Sequence, residues 1–385
     1  MGCKRRYDLR DDISSSQHYT TLIIPFRGAK WKLSIMCVFV IFLVSCGSGA
    51  TTVSTPSTVT PSFSTPTPSP TPIPTPSPTP IPTPSPTPIP AGSITEFPAS
   101  TSGGYPYGIT AGPDGSLWFT EYNSGMIGRI TPSGRITEFP LPSSGSQPYE
   151  IAAGPDGNLW FTENNSGVIG RITPSGRITE FPTPTSPSSP EGITAGPDGN
   201  LWFTEQNGNK IGRITPSGRI TEFPIPTYVS EPVGITAGPD GNLWFTENVS
   251  KIGRITPSGR ITEFPVPTSL SAPAGITAGP DGNLWFTEQM GNQIGSITPT
   301  GTVTEFPIPT SRSAPASIAA GPDGNLWFTE YNSDQIGRIS TSGSITEFPI
   351  PTSGSASYKI TAGPDGNLWF TETGSKQIGR ITSGK

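Results

Sequence analysis

Seven of the eight tryptophans, Trp118, Trp160, Trp202, Trp244, Trp285, Trp327 and Trp369, follow one another at intervals of 42, 42, 42, 41, 42 and 42 residues. Each sits in the same segment, Gly-Pro-Asp-Gly-(Asn/Ser)-Leu-Trp-Phe-Thr-Glu. A period near 42 with room for four short strands is the signature of a β-propeller blade. Gly and Pro interrupt the chain at short intervals from residue 93 onward, and the apolar residues fall in short β-branched and aromatic runs. Barrels and doubly wound sheets that depend on long helices are thereby excluded.

One blade reads from residues 106–140. Gly108 to Ala111 is strand A, Pro113-Asp114-Gly115 a turn, and Leu117 to Glu121 strand B. Pro presets φ at the first turn position and Gly takes the left-handed one. Leu117, Trp118 and Phe119 are adjacent, so strand B is apolar on both faces, as suits a sheet packed between two others. Ile127 to Ile130 is strand C, Thr131 to Gly134 a turn, and Arg135 to Phe139 strand D. Arg129 and Arg135 are expected in surface ion pairs near Glu138, and Asp114 as a turn residue. A Pro-rich connection leads to the next blade.

The strand D motif Ile/Val-Thr-Glu-Phe-Pro also occurs seven times, but its first copy, Ile94 to Pro98, precedes the first repeated Trp, and none follows the last. The final blade therefore lacks strand D, and the N-terminal side carries an orphan one. Joining them predicts an all-β fold: a seven-bladed β-propeller of four-stranded blades over residues 93–385, its ring closed by an N-terminal strand.

Residues 1–46 read as a lipoprotein-type signal segment. Arg27, Lys30 and Lys32 precede the apolar run Ile35 to Val44, which is too short to span a bilayer comfortably. Leu43-Val44-Ser45-Cys46-Gly47 resembles a bacterial lipobox, making Cys46 the expected lipidation site. Residues 47–92 are rich in Thr, Ser and Pro and read as a stalk. Its densest stretch would extend on the order of 90 Å as polyproline II. The expected location is the extracytoplasmic face of the cell membrane, lipid-anchored or signal-anchored. Residues 93–385 carry 16 Lys/Arg against 25 Asp/Glu, a net −9, which argues against nucleic-acid binding. The three cysteines and the single histidine, His18, all precede the repeats, so the repeat domain has no thiolate metal site and no histidine.

The units Gly-Ile-Thr-Ala-Gly-Pro-Asp-Gly-Asn-Leu-Trp-Phe-Thr-Glu and Ile-Gly-Arg-Ile-Thr resemble those of the virginiamycin B lyase (streptogramin lyase) family over residues 93–385. The resemblance implies a Mg²⁺-dependent elimination that linearises cyclic streptogramin B lactones. In that chemistry a histidine removes a proton and glutamates hold the metal. The implied base position, just before strand A of the last blade, is Tyr358 here. The glutamate two residues earlier is Ala356, a second histidine position is Ala316, a first-blade tyrosine is Tyr107, and the strand-B glutamate is Glu372. A tyrosine with an ordinary pKa near 10 is a poor base at neutral pH.

A site in a ring must break the ring's symmetry. The residue before strand A does so: Tyr107, Tyr149, Glu191, Val233, Ala274, Ala316 and Tyr358 in blades one to seven. If Gly112 pairs with Ser116, regular pairing sets Tyr107 opposite Glu121 at a channel mouth. The expected ligand pocket is Tyr107, Tyr149, Glu191 and Tyr358, with Glu231 nearby, for a ring-shaped or sugar-like small molecule or a cell-surface ligand. The strand-B glutamates, among them Glu121, Glu330 and Glu372, are candidates to ring the mouth and hold a cation, Mg²⁺ being the one implied. The expected function is a membrane-tethered binding or interaction module, acting as a monomer. The alternatives are a Mg²⁺-dependent carbon–oxygen lyase and, by fold analogy alone, a calcium-dependent lactone hydrolase.

Overall fold

The computed structural model describes residues 90–99, 104–143 and 145–384. The signal segment, Cys46 and nearly all of the stalk lie outside them. Among the described residues, twenty-eight strands run from β1 (Ile94–Pro98) to β28 (Gln377–Ile381) and form seven four-stranded antiparallel sheets. Six blades are consecutive A-B-C-D meanders. The seventh pairs β28 with β1, Ile94 opposite Ile381 and Pro98 opposite Gln377, so the N-terminal strand closes the ring as expected. Strand A begins earlier than the sequence suggests, at Pro106 in the first blade, and strand D runs from Ile136 to Pro140.

The core lies between blades. Trp202 and Ile211 of blade three pack with Ile235, Leu243, Phe245 and Ile255 of blade four. At the seam, Trp369 and Ile378 meet Ile109, Leu117, Phe119 and Ile130 in the same way. Each strand B thus serves two cores, Trp toward one neighbour and Leu with Phe toward the other. Burying such a Leu or Phe contributes about 1.5–3 kcal/mol. Strand C carries glycine because the strand-B phenylalanine lies against its backbone: a Cβ on Gly212 would stand 2.1 Å from Phe203 Cζ.

Each repeated Trp stacks on the strand-D Phe, as Trp202 does on Phe223 with centroids 5.5 Å apart. The turn aspartate accepts the indole N–H, Trp202 Nε1 to Asp198 Oδ1 at 3.0 Å. Arg213 lies over both rings, and its guanidinium donates to the Pro257 carbonyl of the next blade at 3.0 Å. The strand-C arginines pair with these turn aspartates, Arg129 with Asp114 at 3.5 Å. Arg129 is thus in an ion pair as expected, and it lies over the Trp118 ring, which sets it beside the turn.

Strand A does not keep regular pairing to its end. Gly112 donates to Ser116 as expected, and Ile109 faces Phe119, but Pro106 rather than Tyr107 stands opposite Glu121. Tyr107 and Gly108 form a bulge against Thr120, and the same shift occurs in every blade. The strand-B threonine completes the bulge. Thr120 Oγ1 accepts the Gly108 N–H at 2.9 Å and donates to the Tyr149 carbonyl of the next blade at 2.7 Å. The relay continues around the ring, and Thr371 closes it by donating to the Tyr107 carbonyl at 2.8 Å.

The strand-B glutamates do not ring the mouth. Glu121, Glu163, Glu205, Glu247, Glu288, Glu330 and Glu372 are fully buried, each within its own blade. Ser375 donates to Glu372 Oε2 and Ser333 to Glu330 Oε2, both at 2.8 Å. Burial pushes Glu205 and Glu247 up to about 8, and Glu163, Glu288, Glu330 and Glu372 up to about 7. The strand-D glutamate of the same blade, such as Glu222 beside Glu205, adds to the shift, and Asp334 of blade six adds to that of Glu372.

Two expectations follow. Gly212→Ala drives a methyl into Phe203 and lowers stability by about 1–3 kcal/mol; Thr371→Val removes the hydroxyl that bonds two part-buried backbone groups and lowers stability by about 1–3 kcal/mol. Chemical denaturation measures both. A third concerns pH. These glutamates hold protons in the folded state that the unfolded chain releases above its ordinary 4.5. Stability should therefore fall as pH rises from about 5 through 8. Thermal unfolding across that range checks the sign, and Glu205→Gln should flatten the slope.

Candidate functional site

The bulge sets the second residue of strand A at the mouth of the ring. Tyr149, Glu191, Val233, Ala274, Ala316 and Tyr358 line one cavity of about 150 Å³, rimmed by Gln206, Asn248 and Gln289. Tyr107 completes the set by packing against Tyr149 and Tyr358, with centroids 4.9 and 4.4 Å away. The seven positions thus meet as the sequence suggests, with one side of the mouth tyrosine and carboxylate and the other small and apolar. The regular pairing of Tyr107 with Glu121 is the part that fails, because the bulge gives strand A an extra residue.

Backbone strain gathers here. The residue two before the mouth position is non-glycine with left-handed φ in six blades: Gln147, Ser189, Glu231, Ala272, Ala314 and Ala356, at 46–53°. Its carbonyl accepts an N–H from the residue after the strand-B glutamate, Ala356 from Thr373 at 3.3 Å. Glu231 therefore sits on the rim, where Asn248 Nδ2 donates to its Oε2 at 2.9 Å.

Tyr149 and Tyr358 are joined hydroxyl to hydroxyl. Burial raises both well above the ordinary 10, and the nearby Glu191 charge reinforces it. Burial likewise pushes Tyr107 up to about 12. Glu191 is 6 % exposed. Burial, with Glu150 and Glu231 beside it, pushes its carboxyl up to about 8.

Four further residues belong to this region. Tyr122 stacks on Tyr107 at 5.0 Å and donates to Gln147 Oε1 at 2.9 Å, and Tyr331 packs edge-on to Tyr358. Below the mouth, Lys359 Nζ meets Glu150 Oε1 at 2.8 Å, linking blades seven and two past blade one. Gly108 stands between them, and a Cβ there would lie 2.8 Å from Glu150 Cα. The signal was available. The position after the mouth residue reads Gly, Glu, Gly, Gly, Gly, Ser, Lys around the ring, and the one after the strand-B glutamate reads Tyr, Asn, Gln, Asn, Gln, Tyr, Thr.

The expected metal residues do not form a metal site. Glu121, Glu330 and Glu372 are enclosed in separate blades, and a methyl occupies Ala356. Among the described residues no three His, Cys, Asp or Glu side chains are placed to hold a metal ion. These residues do not fit Mg²⁺.

A family model of the virginiamycin B lyase family matches residues 89–231 and 197–385. A streptogramin B lyase structure is 43% identical with TM-score 0.73, covering 75% of this chain and 97% of that one. Virginiamycin B lyase from Staphylococcus aureus is 45% identical with TM-score 0.72, covering 75% and 99%. The same values hold for a catalytically inactive histidine-to-alanine variant of that enzyme with quinupristin. Over 27 residues, 7% of this chain and 9% of the other, the sequence is 70% identical to virginiamycin B lyase of Saccharopolyspora erythraea. The propeller fold alone is shared with the extracellular domain of a hybrid two-component system from B. thetaiotaomicron, at 14% identity and TM-score 0.60, over 76% of this chain and 43% of that one. By family model and by structure, this chain belongs to the virginiamycin B lyase family.

Proposed function

We infer that the protein is a ligand-binding module of this family that does not linearise lactones. It is tethered outside the cell membrane through lipid-modified Cys46 and the stalk of residues 47–92, and it presents the channel mouth to a small molecule or cell-surface ligand. The observation that carries the reading is the state of Tyr358. It occupies the position where the family resemblance expects the base. Its hydroxyl is paired with that of Tyr149, and burial holds its proton well beyond neutral pH. A phenol in that state keeps its proton and does not remove one from carbon. The relative in which one histidine is replaced by alanine is catalytically inactive, and residues 93–385 contain no histidine.

The second reading, a Mg²⁺-dependent carbon–oxygen lyase, is favoured by identity of 43–45% to two lyases over nearly their whole length. Mass-resolved chromatography of a streptogramin B lactone incubated with the protein and Mg²⁺ separates the two. The lactone is expected back intact. A shifted peak of unchanged mass would establish elimination by some other base, and a gain of one water would establish hydrolysis. Where a ligand is retained from a panel of cyclic lactones and oligosaccharides, Tyr107→Ala with Tyr149→Ala should weaken it at least about tenfold, equivalent to 1.4 kcal/mol. Unchanged binding would remove the tyrosine side of the mouth from the reading.

A further inference from the structure

Glu191 is out of balance with its surroundings. Its side chain lines the mouth cavity yet is 6 % exposed, and its carboxylate accepts no hydrogen bond among the described residues. Charged and titratable groups from several blades face it. Glu150, in strand A of blade two, is paired with Lys359 of blade seven at 2.8 Å. Glu231, on the connection into blade four, accepts from Asn248. Tyr149 and Tyr358 keep their protons and are bonded to one another, with Tyr107 packed against both. Three carboxylates thus share one ammonium group, and that group is taken by Glu150.

We propose that the mouth is a site for an organic cation, an alkylated ammonium group held between the Glu191 carboxylate and the rings of Tyr149 and Tyr358. The proposal rests on the reading of the mouth as a ligand pocket and names the chemistry of its occupant. An inorganic ion is a poor candidate, because it needs several oxygen ligands at short range and no three His, Cys, Asp or Glu side chains among the described residues are placed to hold one. An alkylammonium asks for different surroundings: a single counter-charge, aromatic π systems and little competing water. The cavity of about 150 Å³ supplies these, with Val233, Ala274 and Ala316 leaving room opposite the tyrosines. The amides of Gln206, Asn248 and Gln289 at its rim suit a polar arm on the cation.

The site carries its own pH signature. Burial with Glu150 and Glu231 pushes Glu191 up to about 8. A cation binds the ionised form, so its apparent affinity should rise about tenfold per pH unit below 8 and level off above it. Each binding event below pH 8 should release a proton.

Calorimetric titration of the protein with choline, and with its uncharged carbon isostere, tests this at pH 6, 7 and 8.5 and constant ionic strength. Expected are choline binding that strengthens about tenfold from pH 6 to 7, an isostere at least about tenfold weaker, and a comparable loss in Glu191→Gln. The pH profile and the isostere comparison use the unaltered protein, so they stand even if the variant is unstable. Equal binding of choline and isostere, or a pH-independent affinity, would overturn the cation while leaving the mouth a ligand pocket. No binding of choline at any of the three pH values would overturn it as well, and the lactone and oligosaccharide panel would then decide whether the mouth binds anything.

Discussion

The hydroxyl of the strand-B threonine is the interaction on which the rest of the ring depends. It accepts an N–H from the strand A beside it and donates to a carbonyl in the next blade. Without it, the bulge would leave a buried donor and a buried acceptor unmatched, a cost the apolar cores on either side could not relieve. With it, seven identical contacts fix the spacing of neighbouring blades at the axis. They also fix which residue looks into the channel. Packing between Trp and Phe further out holds blades face to face, but it is the threonine that sets the register of the mouth.

That division explains why the periodic part of the sequence was so legible. Trp118, Gly128 and Asp114 recur because each blade solves the same packing problem: an indole to cover, a ring to admit, a turn to close. The orphan strand from Ile94 to Pro98 was decisive because only a closed ring gives it a partner. The bulge was not legible. It depends on a hydrogen bond from a backbone N–H to a side chain rather than on hydrophobic alternation, and Thr120 reads as an ordinary strand residue. Missing it misplaced Glu121 relative to Tyr107, and with it the whole set of strand-B glutamates.

The mouth was legible only in part. Tyr107, Tyr149, Glu191 and Tyr358 stood out because they vary where strands B, C and D do not. Glu150 and Lys359 vary equally, but they are separated by 209 residues and meet past the glycine of an intervening blade. A contact of that kind follows from ring geometry, not from spacing along the chain. The same geometry concentrates unlike chemistry into a small space. A scaffold of identical blades tolerates substitution only where its repeating bonds use the backbone alone, and the mouth positions engage the threonine relay through their carbonyls and leave their side chains free to differ.

The seam of the ring has a different kind of consequence. The closing strand reads Ile-Thr-Glu-Phe-Pro, the same five residues that form strand D in most other blades. Nothing in its side chains distinguishes the seam of its own chain from the seam of another copy. Only the short connection from Pro98 to Pro106 gives the intramolecular choice its advantage, by holding the strand at high local concentration beside β28. Lengthening that connection would erode the advantage without touching a single native contact. The result would be strand exchange between molecules: a domain-swapped dimer in which each ring is complete and each borrows its final edge.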